Sequence, residues 1–134
     1  MESALAAPAA RAHRTSGVLL MEGDALMRSL LIEWLTSAGY SVREGPPRPG
    51  ASTPGVDVVI VDLYMPREAG TRIIRAVQSL HPGTPVIAIS GQFRAGLDAT
   101  SPVARTLGAA RILAKPFSRE DLLAAVRALV GSPR

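Results

Sequence analysis

The stretch Asp57-Val58-Val59-Ile60-Val61-Asp62 (DVVIVD, 57–62) decides the fold. Between its two carboxylates lies an unbroken β-branched run, too short for a buried helix and lacking the alternation of a strand with one wet face. Such a run reads as a central parallel strand covered on both sides. It delivers a carboxylate, Asp62, to its own carboxyl end.

Working outward, the same pattern recurs. Upstream, Val18-Leu19-Leu20-Met21 lies between Gly17 and Gly23 and is too short for a helix, so a first buried strand is expected. From Asp24, the positions Met27, Leu30, Leu31, Trp34, Leu35 and Ala38 follow helical spacing until Gly39 stops them. Trp34 reads as packing. Tyr40-Ser41-Val42 can form a short second strand. Residues 44–56 carry Pro46, Pro47, Pro49 and Pro54 with Gly45, Gly50 and Gly55, which excludes a helix interior and implies a loop.

Downstream, Thr71 to Leu80 place Ile73, Ile74, Val77 and Leu80 on one helical face. His81-Pro82-Gly83 closes that helix, with His81 set to face the helix dipole. Val86-Ile87-Ala88-Ile89-Ser90 is another buried strand, ending on a hydroxyl. Ser101-Pro102 reads as an N-cap and first-turn proline for a short helix to Leu107. Arg111-Ile112-Leu113-Ala114 forms a last strand and ends on Lys115. Ser118 and Asp121 then have capping-box spacing ahead of Leu122, Leu123, Val126, Leu129 and Val130.

Strands alternating with helices imply right-handed crossovers and an α/β doubly wound parallel sheet of five strands. The 134 residues suit one domain, over 17–131, after an Ala-rich flexible tail at 1–16 that Glu2, Pro8 and Arg11 prevent from being a secretory signal. An apolar fraction of 47% against 19% charged residues argues for a packed globule, and no apolar run has the length of a membrane span. The chain has no cysteine, which removes disulfides and thiolate metal sites and suits a cytoplasmic location. The net charge of +4 comes from arginines scattered along the chain, so no nucleic-acid-binding stripe is expected. Lys115 is the single lysine.

In a doubly wound sheet, ligands bind outside the carboxyl ends of the strands, where strand order reverses. Those ends carry Glu22 with Asp24, then Asp62, Ser90 and Lys115. Three acids, a hydroxyl and an ammonium from four strand ends suit a hard cation and a phosphoryl group.

On these residues the sequence resembles the receiver domains of response regulators over about 17–131. VLLMEGD (18–24) matches the acidic pocket, DVVIVDLYMP (57–66) the phosphoacceptor strand, with Gly70 beyond it, PVIAIS (85–90) the strand ending in the switch Ser/Thr, and AKPF (114–117) the Lys-Pro pair. The resemblance implies the CheY-like, flavodoxin-like strand order 2-1-3-4-5. It implies Asp62 as the nucleophile that takes phosphate from a histidine kinase or histidine phosphotransfer protein, with Lys115 and Ser90 contacting the phosphoryl oxygens. It further implies Mg²⁺ held by Glu22, Asp62 and Asp24, a cis Lys115-Pro116 bond, and a downstream protein target. No nucleic-acid or membrane partner is expected, nor enzymatic turnover beyond self-catalysed phosphotransfer and autodephosphorylation. A homodimer is left open.

The chain departs from that family in four places. Family members normally carry two adjacent acids after the first strand, and Gly23 stands where the second belongs, so Mg²⁺ is expected to bind weakly with water filling the vacancy. The interval from Glu22 to Asp62, 62 − 22 = 40, is short, and the Pro-rich 44–56 segment implies that the second helix is missing or reduced to a turn. Ile112 replaces the usual switch aromatic. Arg67-Glu68-Ala69 replaces a more acidic stretch. Two readings result: a single-domain response regulator phosphorylated on Asp62, and a phosphorylation-independent pseudo-receiver that acts by binding alone. A flavodoxin-like enzyme is disfavoured because no Gly-rich phosphate loop follows the first strand and no acid–base pair with histidine is evident. A DNA-binding regulator is disfavoured because no output domain follows residue 131.

Overall fold

A computed structural model describes residues 16–45, 55–63, 68–93 and 102–131. Five strands, β1 (Gly17–Met21), β2 (Ser41–Glu44), β3 (Val58–Asp62), β4 (Val86–Ser90) and β5 (Arg111–Ala114), form one sheet in the order β2-β1-β3-β4-β5. All neighbours pair in parallel. The described helices are α1 (Ala25–Ser37), α2 (Glu68–Leu80), α3 (Pro102–Leu107) and α4 (Arg119–Val130).

The unbroken apolar strands are explained by burial on both faces. Along β1, β3 and β4 successive side chains go alternately to two cores, as the two-residue period of a strand requires. Val18, Leu20, Val58, Ile60, Ile87 and Ile89 pack with Leu31 and Leu35 of α1 and with Leu122, Leu123 and Val126 of α4. On the opposite face Leu19, Val59, Val61, Val86, Ala88 and Ile112 pack with Ile74 and Val77 of α2 and with Ala104 and Leu107 of α3. Every side chain from Val58 to Val61 is at most 1% exposed. Burying a branched aliphatic side chain stabilises by roughly 1.5–3 kcal/mol, so this one strand is a large contributor.

Asp57, the carboxylate that opens the deciding stretch, has a structural task. Its Oδ2 accepts a hydrogen bond from the Gly17 N–H at 2.7 Å, and its own N–H donates to the Gly17 carbonyl at 2.8 Å. These bonds pin the start of β1 beside the start of β3. Only glycine fits at 17, because a Cβ there would strike the Gly55 carbonyl oxygen.

Several expectations need correction. β2 runs over Ser41–Glu44 rather than 40–42, with Tyr40 buried beside it and its hydroxyl donating to the Gly131 carbonyl at 2.9 Å. Helix α2 begins at Glu68, before Thr71. Leu30 and Ile73, assigned to inner faces by spacing, are 39% and 37% exposed, since α1 and α2 each turn only a narrow stripe to the sheet. His81 directly follows α2, as a terminus residue should, and is buried, with an Nε2 that meets no hydrogen-bond partner among the described residues. Ser118 forms the full capping box with Asp121. The tail over 1–15, most of the 44–56 segment, the Ser101 cap and Arg67 lie outside the described residues.

Candidate functional site

The carboxyl ends of β1, β3, β4 and β5 meet at one rim, and the parallel register explains how. Met21 pairs with Val61, Asp62 with Ile89, and Ser90 with Ala114. Glu22, Asp62, Ser90 and Lys115 are therefore the residues at, or one step past, the ends of four neighbouring strands. Side chains up to 93 positions apart in sequence touch there.

Lys115 lies at the centre. Its Nζ lies 3.1 Å from Asp62 Oδ1 and 3.2 Å from Glu22 Oε1, so one ammonium bridges the two carboxylates. The Glu22 side chain is fully buried, whereas those of Asp62 and Lys115 keep 20% and 22% of their surface. The exposed remainder of Asp62 is the part of the site that a ligand from solution reaches. The Lys115 backbone N–H donates to the Ser90 carbonyl at 3.0 Å, tying the β5 end to the β4 end. Ser90 is fully buried, and its Oγ accepts the Gln92 N–H at 2.9 Å. The Lys115–Pro116 bond is cis. Two residues beyond Lys115, Phe117 meets the Trp34 ring edge to face, with centroids 6.5 Å apart, so Trp34 packs as expected and supports this loop from α1.

Protonation follows from this geometry. Burial pushes the Glu22 carboxyl above its ordinary value and the Asp62 charge adds to that, against the opposing pull of the Asp24 N–H and the Lys115 ammonium. For Lys115, burial lowers the value, but the hydrogen bonds to Asp62 and Glu22 outweigh it, and the net direction is upward. The ammonium is thus held more firmly than that of a free lysine.

The acidic loop carries the main departure. Glu22 Oε1 is taken by Lys115 and Oε2 accepts the Asp24 N–H at 3.1 Å. Asp24, expected among the metal ligands, is the N-cap of α1, its Oδ1 accepting the Leu26 N–H at 3.2 Å. Gly23 offers no side chain, and a Cβ built on it would meet nothing within 4 Å. Among the described residues no group of three or more histidine or acidic side chains is placed to hold a metal ion. The described side chains around Glu22 therefore offer few uncommitted oxygens to a hard dication, which fills its remaining positions with water.

Sequence spacing missed Arg28. Its Nη1 donates to the Glu22 carbonyl at 3.0 Å and its Nε pairs with Glu44 Oε1 at 3.2 Å, fastening the acidic loop to the edge strand β2. The available signal was its place four residues after Asp24, one helical turn along the face that looks back at the loop. Ile112, at the position of the expected switch aromatic, is buried in the core under α2 and α3.

A five-stranded parallel sheet in the order 2-1-3-4-5, with a bridged Asp and Lys at its switch point, defines a receiver-type signalling domain. The chain belongs to the response regulator receiver domain family, which it matches over residues 18–127. Regulatory protein VirG of Agrobacterium tumefaciens (strain 15955) is 39% identical over 114 residues, covering 82% of this chain and 42% of that protein. The chain spans about half the length or less of the curated relatives it matches. Among solved structures, chemotaxis protein CheY4 of Vibrio cholerae superposes with a TM-score of 0.64 at 24% identity, covering 85% of this chain and 98% of that one. A response regulator from Burkholderia pseudomallei, solved with a phosphorylated aspartic acid, a calcium ion and citrate, gives 0.62 at 24% identity, over 82% of this chain and 65% of that one. These likenesses carry the fold. Among the described residues no helix is long and apolar enough to cross a membrane.

Proposed function

We propose that Asp62 is a phosphoacceptor and that the chain serves a two-component relay as a receiver whose output passes through a protein partner. The observation that carries this reading is the Lys115 ammonium 3.1 Å from Asp62 Oδ1 at the strand-end rim. The phosphoryl donor is a phosphohistidine on a histidine kinase or phosphotransfer protein. An Asp62 oxygen attacks phosphorus, the P–N bond breaks, and its electron pair leaves with the imidazole. The new acyl phosphate carries more negative charge than the carboxylate did, and Lys115 is in place to compensate it. The buried Ser90 hydroxyl is one residue past the strand partner of Asp62, and its move toward the phosphoryl oxygens is the step that shifts the 91–93 turn. Glu22 holds Lys115 in position. The relay operates in the cytoplasm without nucleic-acid or membrane contact by this domain, and any dication at the pocket is bound weakly, chiefly through Asp62.

Gly23 and Ile112 favour a second reading, a pseudo-receiver that signals by binding alone, because both depart from the family pattern at functional positions. One experiment separates them. The full chain is incubated with phosphoramidate and followed by intact mass. A single added phosphoryl group that Asp62→Ala abolishes supports the first reading, and no adduct from either phosphoramidate or a cognate kinase supports the second.

A further inference from the structure

The acidic pocket has a shortage of ligands on one side and a surplus of internal pairing on the other. Glu22 and Asp62 contribute two negative charges, and Lys115 reaches both from one point, 3.2 and 3.1 Å away. The second Glu22 oxygen is taken by the Asp24 N–H, and the Glu22 carbonyl by Arg28. Asp24 commits its Oδ1 to the α1 cap. Among the described residues, what faces a dication is mainly the exposed part of Asp62, in a pocket already half neutralised.

We propose that this pocket draws its counter-charge from Lys115 instead of from a divalent cation, and that Gly23 is the single position at which the cation site is lost. The inference rests on the reading of Asp62 as phosphoacceptor and specifies how that acceptor is regulated: by phosphodonor alone, with little response to Mg²⁺. The open space at Gly23 makes the second half of the claim testable. Gly23 has no left-handed backbone angle and nothing within 4 Å of a built Cβ, so an aspartate fits there without strain. It would add the missing charge beside Glu22, where attraction to a dication is strong at short range.

Trp34 reports on the site, since its ring packs on Phe117 two residues from Lys115. The full chain, its Gly23→Asp variant and a Gly23→Ala control are titrated with Mg²⁺ and Mn²⁺ by tryptophan fluorescence and calorimetry. The native chain and Gly23→Ala are expected to show no saturable binding below several millimolar, and Gly23→Asp to bind at least about tenfold more tightly, the effect of one added carboxylate on a dication. Submillimolar binding by the native chain overturns the inference, as does a folded Gly23→Asp that binds no better.

Phosphoramidate labelling in chelator and in Mg²⁺ gives the functional arm. Phosphoramidate reacts as the Asp62 oxygen–phosphorus bond forms and the P–N bond breaks, with ammonia leaving. Equal labelling in both conditions is expected for the native chain, and labelling seen only with Mg²⁺ overturns the inference. A native chain that takes no label under any condition sinks the phosphoacceptor reading instead, while the metal titrations still decide whether Gly23 removed a cation site.

Discussion

Replacing Lys115 by Met tests the bridge directly, because Met keeps the length of the side chain and removes its charge. The loss falls mainly on Glu22, whose side chain is fully buried and meets no other cation among the described residues. Breaking a fully buried pair by removing one partner costs about 3–5 kcal/mol. Lys115 keeps 22% of its surface and Asp62 20%, so water relieves part of that cost, and about 2 kcal/mol is expected. Glu22→Gln removes the stranded charge, so the double variant should recover about 1–2 kcal/mol relative to the sum of the single ones. Asp62→Asn should recover less, since Asp62 is already hydrated. Urea unfolding followed through Trp34 measures all six proteins: the native chain, the three single variants and the two double ones. A Lys115→Met plus Glu22→Gln pair that adds to within about 0.5 kcal/mol would refute the bridge, because independent sites behave that way.

Two further outcomes follow from the same structure. Since the Glu22 carboxyl is raised above 4.5, it contributes stability that is fully present below 4.5 and is lost as pH rises through its folded value. Glu22→Gln should therefore gain stability relative to the native chain as pH rises above 4.5, and Lys115→Met should raise the Glu22 midpoint further in a carbon-detected NMR titration. A midpoint at or below 4.5 in the native chain contradicts the assignment. Gly17→Ala should destabilise by about 2–4 kcal/mol, because backbone must move to clear the Gly55 carbonyl, whereas Gly83→Ala, with a positive φ but open space, should cost about 1 kcal/mol. Equal thermal shifts for the two would show that the clamp between β1 and β3 yields easily.

The fold was legible because strand boundaries are set by where apolar runs stop. Val58 to Val61 could be nothing but a doubly buried strand, so the position of Asp62 followed from its neighbours. The same logic located Ser90 and Lys115. It failed for surface stripes: Leu30 and Ile73 fit helical spacing, yet spacing fixes only an arc, and the width of the arc that is covered depends on how the helix is seated. Spacing put His81 at the end of α2, where it is, but a polar residue at a helix end is usually wet and only the tertiary fold shows that this one is covered.

The candidate site shows the same limit more sharply. Sequence could state which donors lie at the strand ends, Glu22 and Asp24 after β1 and Asp62 at the end of β3. Whether an oxygen is free is a different question, answered by partners that lie anywhere in the chain. Asp24 is taken by its own helix, a local bond that capping rules could have anticipated from its place before α1. Glu22 is taken by Lys115, 93 residues away, and its carbonyl by Arg28, which no spacing rule ties to a phosphate site. A pocket's inventory of charges is therefore readable from strand ends alone, but its net demand for a cation is not. In this chain the difference between the two is the ammonium of its single lysine.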